Sequence, residues 1–162
     1  MDAIDRKILS RLQKDATISI AALAAEVGLS QTPCWKRVQR LQQQGVILGT
    51  VALVAPERIG LGLTVFVEVE TADHSGTWLE EFAGAIAAMP EVVAFYRMAG
   101  DVDYMLRVVV ADMAAYDAFY KALVGRFALK NVTSRFAMER IKETTALAIP
   151  PAAPAGALAP AS

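Results

Sequence analysis

The apolar positions near the start of the chain recur every three or four residues, which is the spacing of one face of an α-helix. In residues 2–14 the apolar side is formed by Ile4, Ile8, Leu9 and Leu12. The cations on the other side are Arg6, Lys7, Arg11 and Lys14. This pattern predicts an amphipathic helix.

Two further helices are predicted before residue 45. The first covers about 19–27, with Ser19 as its N-cap and Gly28 free to adopt the left-handed conformation that ends a helix. The second begins at Ser30, tolerates Pro33 in its first turn, and continues to Gly45. Its apolar stripe consists of Cys34, Val38 and Leu41.

From residue 46 the pattern changes from helix to strand. The segment 46–54 is β-branched and apolar and is closed by Pro56, which predicts a hinge strand within a linker at 46–60. From residue 61 apolar and polar residues alternate, the period of a half-buried strand. Later periodicities predict helices at about 75–89 and 113–127, and strands at 92–98, 104–110 and 132–141.

The predicted order βαββαβ is the ferredoxin-like arrangement, in which two helices cover one face of a four-stranded antiparallel sheet. The fold class is therefore α+β. We predict a helix-turn-helix domain, winged-helix-like, at 1–45 and a ferredoxin-like domain at 61–145. The Ala/Pro-rich tail at 146–162 is predicted to be disordered.

The uncovered face of this sheet is predicted to mix apolar and charged side chains. By alternation it presents Phe66, Glu68, Glu70, Phe95, Arg97, Met105, Arg107 and Arg135. A second copy of the sheet would bury the apolar groups and pair Glu68 or Glu70 with one of the three arginines. We therefore expect a homodimer, the alternative being a half-exposed sheet with ordinary surface ion pairs.

Composition narrows the class of protein. An apolar share of 55% is too high for a disordered chain, and no apolar run approaches the roughly 18 residues of a membrane helix. The net charge of −1 is unevenly distributed. Residues 1–50 contain seven cations and four acids (+3), whereas residues 51–162 contain nine cations and thirteen acids (−4). This asymmetry is compatible with nucleic-acid contact by the first segment.

The single cysteine, Cys34, and the single histidine, His74, exclude an intrachain disulfide and a Cys/His zinc site. We expect no metal and no cofactor, a core role for Cys34 with redox sensing as the alternative, and a surface position for His74. The first residues are acidic and helix-forming where a secretory signal would be basic. A cytoplasmic protein with no membrane partner is therefore expected.

Two short helices joined by a glycine-containing turn match a helix-turn-helix, whose second helix enters the major groove of double-stranded DNA. The side chains predicted to contact DNA are Gln31, Thr32, Lys36, Arg37 and Arg40. A plain three-helix bundle with a solvated basic face is the alternative, and Arg37 has a second interpretation as a residue that ties helices together. Periodicity leaves open whether Trp35 packs on the hinge strand or meets a DNA backbone.

Several stretches of the chain resemble the Lrp/AsnC family of leucine-responsive and asparagine-responsive regulators. In the first domain they are residues 4–9 (Ile-Asp-Arg-Lys-Ile-Leu), 27–34 (Val-Gly-Leu-Ser-Gln-Thr-Pro-Cys), Arg37-Val38, Leu41 and 45–47 (Gly-Val-Ile). The second domain adds 99–104 and 112–116, so the resemblance covers about 2–145. It implies a transcription regulator whose C-terminal domain dimerises, assembles dimers into octamer-like rings and senses a small molecule, commonly an amino acid.

In that family the turn corresponding to Gly100, Asp101, Val102, Asp103 and Tyr104 lies at or near an effector pocket between subunits. Either aspartate can supply a carboxylate for the ammonium group of an amino acid, and the Gly100 turn can offer backbone N–H groups to its carboxylate. Thr133 and Ser134 are predicted to complete the pocket. The alternative is a simple hairpin turn. The family's usual Pro-Gly before the last strand is replaced by residues 128–131 (Ala-Leu-Lys-Asn), which alters the predicted rim.

Two other functions compete with an effector-controlled regulator. An enzyme would need a catalytic constellation, and the sequence contains no His/Cys/Ser arrangement or glycine-rich phosphate loop, so we predict that the protein is not an enzyme. A ligand-independent architectural protein could organise DNA with little sequence preference. The ratio of specific to random DNA affinity at one salt concentration distinguishes it from the regulator.

Overall fold

The computed structural model describes residues 1–151 of the 162-residue chain. The described residues form two compact units, of which the first combines Met1–Ala52 with residues 142–151 and the second is Leu53–Ile141. Among the described residues, no helix has both the length and the apolar character required to span a membrane.

The first unit contains the three predicted helices: α1 (Ala3–Leu12), α2 (Ile20–Val27) and α3 (Gln31–Gln43). A capping box begins α1, because the Asp2 carboxylate accepts from the backbone N–H of Asp5 while the Asp5 carboxylate accepts from that of Asp2. Gly28 ends α2 with φ +76°, the left-handed conformation that glycine adopts without strain.

The core of the first unit is formed by apolar side chains from all three helices. Its members are Ile8, Leu9, Leu23, Ala24, Val27, Cys34, Val38 and Leu41. Cys34 is fully buried among them, and this desolvation raises the pKa of its thiol. The structure therefore agrees with a packing role for Cys34.

Part of the predicted disordered tail contacts the first unit. The Gln13 side chain accepts a hydrogen bond from the backbone N–H of Leu147 (2.7 Å) and donates one to the carbonyl oxygen of the same residue (3.2 Å). Arg6 donates to the carbonyl oxygen of Pro150, and Ile149 packs against the apolar core. Residues 146–151 thus make tertiary contacts, and the rest of the predicted tail, 152–162, lies outside the described residues.

The segment predicted as a hinge strand, 46–54, is not a strand within this chain. Its backbone lacks a neighbouring strand in the described residues, and a strand needs one to satisfy its N–H and C=O groups. Most of its apolar side chains are correspondingly exposed, Leu48 to 95%, whereas Ile47 packs against the core of the first unit. A short 3₁₀ helix, Pro56–Ile59, follows and leads into the second unit.

The second unit has the predicted ferredoxin-like order. It consists of β1 (Leu63–Thr71), α4 (Gly76–Ala87), β2 (Val92–Arg97), β3 (Tyr104–Val110), α5 (Met113–Arg126) and β4 (Leu129–Phe136). The sheet order is β2-β3-β1-β4, and every neighbouring pair is antiparallel. β4 covers Leu129–Phe136, so it begins and ends earlier than the predicted strand at 132–141. An alternating pattern indicates that a strand is present more accurately than it indicates where the strand begins and ends.

One face of the sheet packs against α4 and α5. The buried residues of β1 and β3 on this face are Val65, Val67, Val69, Tyr104, Leu106, Val108 and Val110. From the helices they meet Phe82, Ile86, Tyr116, Phe119 and Leu123. Trp78 stacks on Phe82 with ring centroids 4.7 Å apart.

The uncovered face carries Phe66, Glu68, Glu70, Met105, Arg107 and Arg135, as the alternation predicts. The prediction is wrong for Phe95 and Arg97, which are in register with residues of the helix-covered face. β2 contains a register shift between Val92 and Ala94 that moves later residues to the other face, so Phe95 pairs with buried Leu106. Tyr96 occupies the uncovered face instead, opposite Met105.

The acids of this face are paired within the chain. Glu68 accepts two hydrogen bonds from Arg135, at 2.7 and 2.9 Å. Glu70 accepts from Lys130 at 2.9 Å and from Asn131 at 3.0 Å, rather than from any of the predicted arginines. The early start of β4 brings these two residues beside Glu70, so a second copy is not needed to pair either acid.

Candidate nucleic-acid interface and effector turn

The outward side of α3 is polar. Because Cys34, Val38 and Leu41 face the core, the opposite side of the helix presents Thr32, Lys36 and Gln39. Gln31, Thr32 and Lys36 are exposed, and the sequence has no acid between Ser30 and Val54. The N-terminal part of this helix therefore offers hydrogen-bonding groups and a cation without a carboxylate to repel phosphate.

Arg37 and Arg40 lie on the flank of α3 that faces α1. Nη1 of Arg37 is 2.6 Å from Oδ2 of Asp2 and 2.8 Å from Oδ1 of Asp5. Nη2 of Arg40 donates to both carboxylate oxygens of Asp5, at 2.9 and 2.8 Å. Of the five predicted DNA contacts, these two are held by the start of α1.

Asp5 is the centre of this network and is only 1% exposed. Its desolvation would raise the pKa of the carboxyl, but the hydrogen bonds from the Asp2 backbone and Arg37 outweigh it and the pKa is lowered. The backbone N–H of Asp5 and the Arg37 guanidinium lower the pKa of Asp2 to about 2. The geometry supports the interpretation in which Arg37 ties helices together.

Sequence reasoning missed Asp5 as the residue that anchors α3. An acid one turn into a helix is ordinarily exposed or capping, and Asp5 does cap α1. The available signal was the spacing of Arg37 and Arg40, three residues apart on one side of α3, which allows both to reach a single carboxylate. Nothing in that spacing indicates which carboxylate it is.

The predicted effector turn is a tight connection between β2 and β3. Gly100 has φ +123°, a conformation that favours glycine, and the backbone N–H of Met98 donates to the carbonyl oxygen of Asp103 at 2.8 Å. Oδ2 of Asp103 accepts from the backbone N–H of Thr71 at 2.8 Å, and its Oδ1 is 3.9 Å from Nδ1 of His74. Asp101 is exposed at the turn.

The structure does not bring all six predicted effector residues together. Tyr104 is 3% exposed and its ring packs on Phe82, 5.3 Å between centroids. Thr133 and Ser134 are on opposite faces of β4, since Thr133 pairs with Glu68 of the uncovered face and the Ser134 hydroxyl contacts that of Tyr116 on α5. The turn at 100–103 and Thr133 remain accessible.

No group of His, Cys, Asp and Glu side chains suited to a metal ion occurs among residues 1–151. The described part of the chain presents two candidate binding sites, the outward side of α3 and the turn between β2 and β3. Together they define a helix-turn-helix protein with a second, ferredoxin-like domain.

Comparison with known proteins identifies the family. The AsnC-type helix-turn-helix domain matches residues 1–42, and the Lrp/AsnC ligand binding domain matches residues 64–147. The chain belongs to the Lrp/AsnC family of transcriptional regulators, as the sequence resemblance predicted, and it is not an enzyme.

Two curated relatives illustrate the similarity. The DNA-binding transcriptional activator DecR of Escherichia coli K12 is 55% identical over 150 residues, which is 92% of this chain and 99% of the relative. The glutamate uptake regulatory protein of Zymomonas mobilis is 46% identical over 150 residues, which is 93% of this chain and 92% of the relative.

Two solved structures share the fold. An AsnC family transcriptional regulator from Agrobacterium tumefaciens is 54% identical with a TM-score of 0.89, covering 91% of this chain and 97% of that one. A transcriptional regulator from Neisseria meningitidis, solved as its L-Met complex, is 32% identical with a TM-score of 0.87, covering 91% and 96%.

Proposed function

We propose that this protein is a sequence-specific DNA-binding transcriptional regulator whose DNA binding and oligomeric state respond to an amino acid. The observation that carries the proposal is the acid-free outward side of α3, joined in one chain to a domain that matches the family's ligand-binding model. We assign Gln31 and Thr32 to base edges and Lys36 to a phosphate or a base. Arg37 and Arg40 act chiefly by holding α3.

A homodimer through the uncovered sheet face is part of the proposal. Phe66 is 40% and Tyr96 59% exposed there, beside Met105, and apolar groups of this size favour a second copy. With Glu68 and Glu70 already paired in their own chain, the contact would rest on burial of apolar surface rather than on ion pairs between subunits. Assembly of dimers into octamer-like rings is proposed from the family resemblance.

The effector is proposed to bind at the turn of residues 100–103. Asp101 would accept the ammonium group, because one oxygen of Asp103 is already engaged by Thr71. Backbone N–H groups near Gly100 would donate to the carboxylate, and Thr133 lies on the face proposed to meet the second subunit. The L-Met complex of the Neisseria meningitidis relative supports the chemical class.

The test is thermal unfolding of the full chain with each of the twenty amino acids, since a ligand that binds the folded state raises the unfolding temperature. We expect a selective shift that Asp101→Ala abolishes and Glu81→Ala, which removes an exposed carboxylate of α4, retains. A shift that persists in Asp101→Ala would place the effector elsewhere. No shift with any amino acid would contradict amino-acid sensing.

A parallel measurement tests sequence specificity. Binding to a duplex selected from a random pool is compared with binding to random duplex at the same salt concentration, and we expect at least about a thousandfold preference. Equal affinities would instead identify a ligand-independent architectural protein, because phosphate contacts carry no sequence information.

A further inference from the structure

Trp35 is an exposed aromatic residue on the proposed DNA-reading helix. It is 50% exposed in the first half of α3, and it is outside the apolar cluster that the described residues of the first unit form. The other tryptophan of the chain, Trp78, stacks in the core of the second unit. The indole is therefore accessible to a partner outside its own unit.

The neighbours of Trp35 on the helix surface are the proposed base-reading residues. Positions three and four residues apart lie side by side on an α-helix, so Trp35 lies beside Gln31, Thr32 and Gln39. In a helix-turn-helix protein the N-terminal residues of the second helix contact base edges. Trp35 therefore belongs to the same surface as the polar readers.

This surface carries little charge. Arg37 and Arg40 are paired with Asp2 and Asp5, so Lys36 is the cation of this surface that has no carboxylate beside it on α3. The surface also carries the amides of Gln31 and Gln39, the hydroxyl of Thr32 and the indole of Trp35. In the major groove, the thymine C5 methyl is the apolar group that a side chain can read, and every other feature of the code is a hydrogen-bond donor or acceptor. An indole among amides is suited to that methyl.

We propose that Trp35 determines specificity by packing against the C5 methyl of a thymine in the major groove of the operator. This inference rests on the proposed DNA-binding function and adds a T·A base pair to the sequence that α3 reads. Gln31 and Gln39, on either side of Trp35, would hydrogen-bond to bases flanking that pair.

The experiment removes the methyl group alone. In an operator selected from random duplex DNA, each dT is replaced singly by dU, which keeps base pairing and deletes C5 methyl. We expect one position in each half-site at which the wild-type protein loses about fourfold in affinity, the value of one buried methyl-sized group. Trp35→Ala should bind the dT and dU operators equally, whereas Trp35→Phe should keep part of the preference.

The matched control is Lys36→Ala, which removes the neighbouring cation. It should weaken binding to the dT and dU operators alike and so leave the dT-to-dU ratio unchanged. A ratio that is also unchanged in Trp35→Ala would overturn the proposal, as would an operator with no methyl-sensitive position. Loss of the dimer in Trp35→Ala would assign the indole to a subunit contact instead.

Fluorescence gives an independent readout. Trp78→Phe leaves Trp35 as the single tryptophan, so its emission reports on this site alone. We expect the selected operator to quench it and its dU form to quench it less. Emission unaffected by a saturating operator would show that Trp35 lies away from DNA. If neither the wild-type protein nor any of the variants bound DNA, the proposed DNA-binding function itself would be rejected.

Discussion

Asp5 connects the start of α1 to two successive turns of α3. Its carboxylate accepts hydrogen bonds from the Asp2 backbone, Arg37 and Arg40 while it is almost completely buried. A buried carboxylate that accepts this many hydrogen bonds stabilises the orientation of both helices. Removing either the carboxylate or its arginine partners leaves the remaining charge without its counter-ion. The position of the proposed DNA-reading surface thus depends on a buried side chain of another helix.

Asp5→Ala should lower the free energy of unfolding of the first unit by about 2 kcal/mol, because Arg40 loses its carboxylate partner, Arg37 keeps only Asp2, and the capping box of α1 is broken. Urea unfolding followed by circular dichroism measures this change. The matched control is Asp117→Ala, which breaks an exposed pair with Lys121 and should change stability by no more than about 0.5 kcal/mol. Equal effects of the two variants would mean that burial of Asp5 does not matter.

The ion pairs of Asp2 and Asp5 with Arg37 and Arg40 predict that the stability of the first unit falls at low pH. Both carboxyls have lowered pKa values in the folded state, that of Asp2 falling from 3.8 to about 2. A carboxyl with a lowered folded-state pKa stabilises the fold above its unfolded-state pKa and loses that effect as pH falls through the folded value. The unfolding temperature should therefore fall between pH 3.8 and about 2.

Asp2→Asn checks this interpretation, because asparagine retains a capping oxygen but does not titrate in this range. Its unfolding temperature should vary less with pH between 4 and 2 than that of the wild type. Identical pH profiles for both proteins would show that the acid sensitivity arises elsewhere.

Among the elements, the C-terminal segment 142–151 extends the first unit. Gln13 and Leu147 are 134 residues apart in the sequence, and Ile149 adds to the apolar surface packed on the core of α1, α2 and α3. The chain leaves the first unit after Ala52 and returns to it at Lys142. The chain of the second unit is therefore joined to the first unit at both of its ends, before Leu53 and after Ile141.

Truncation tests the contribution of this segment. A chain ending at residue 145 should unfold its first unit at a lower temperature, because it lacks the Gln13 and Ile149 contacts. A chain ending at Pro151 is the control, since it retains every contact described for the segment and should unfold its first unit at a higher temperature than the chain ending at residue 145. Equal unfolding temperatures for both truncations would show that the segment adds nothing.

At the scale of the whole molecule, the uncovered sheet face determines the proposed assembly. Phe66→Glu places a carboxylate at the centre of that face and should convert the dimer to monomer, because burying an unpaired charge is costly. Light scattering gives the mass. Thr77→Glu adds the same charge at an exposed position of α4 and should leave the mass unchanged. A Phe66→Glu dimer would place the interface on another surface.

The helices, the βαββαβ order, the buried stripe of α3 and the family could all be predicted from the sequence, because each is encoded in local periodicity, caps or contiguous motifs. Which side chains meet depends on how the elements pack. Arg37 reaches an acid 32 residues away, and Phe95 changes face because a bulge alters register without altering composition. Thr133 and Ser134 separate because neighbours in a strand point to opposite faces. Periodicity reports whether a side chain is buried, whereas partners distant in sequence are fixed only when the elements pack.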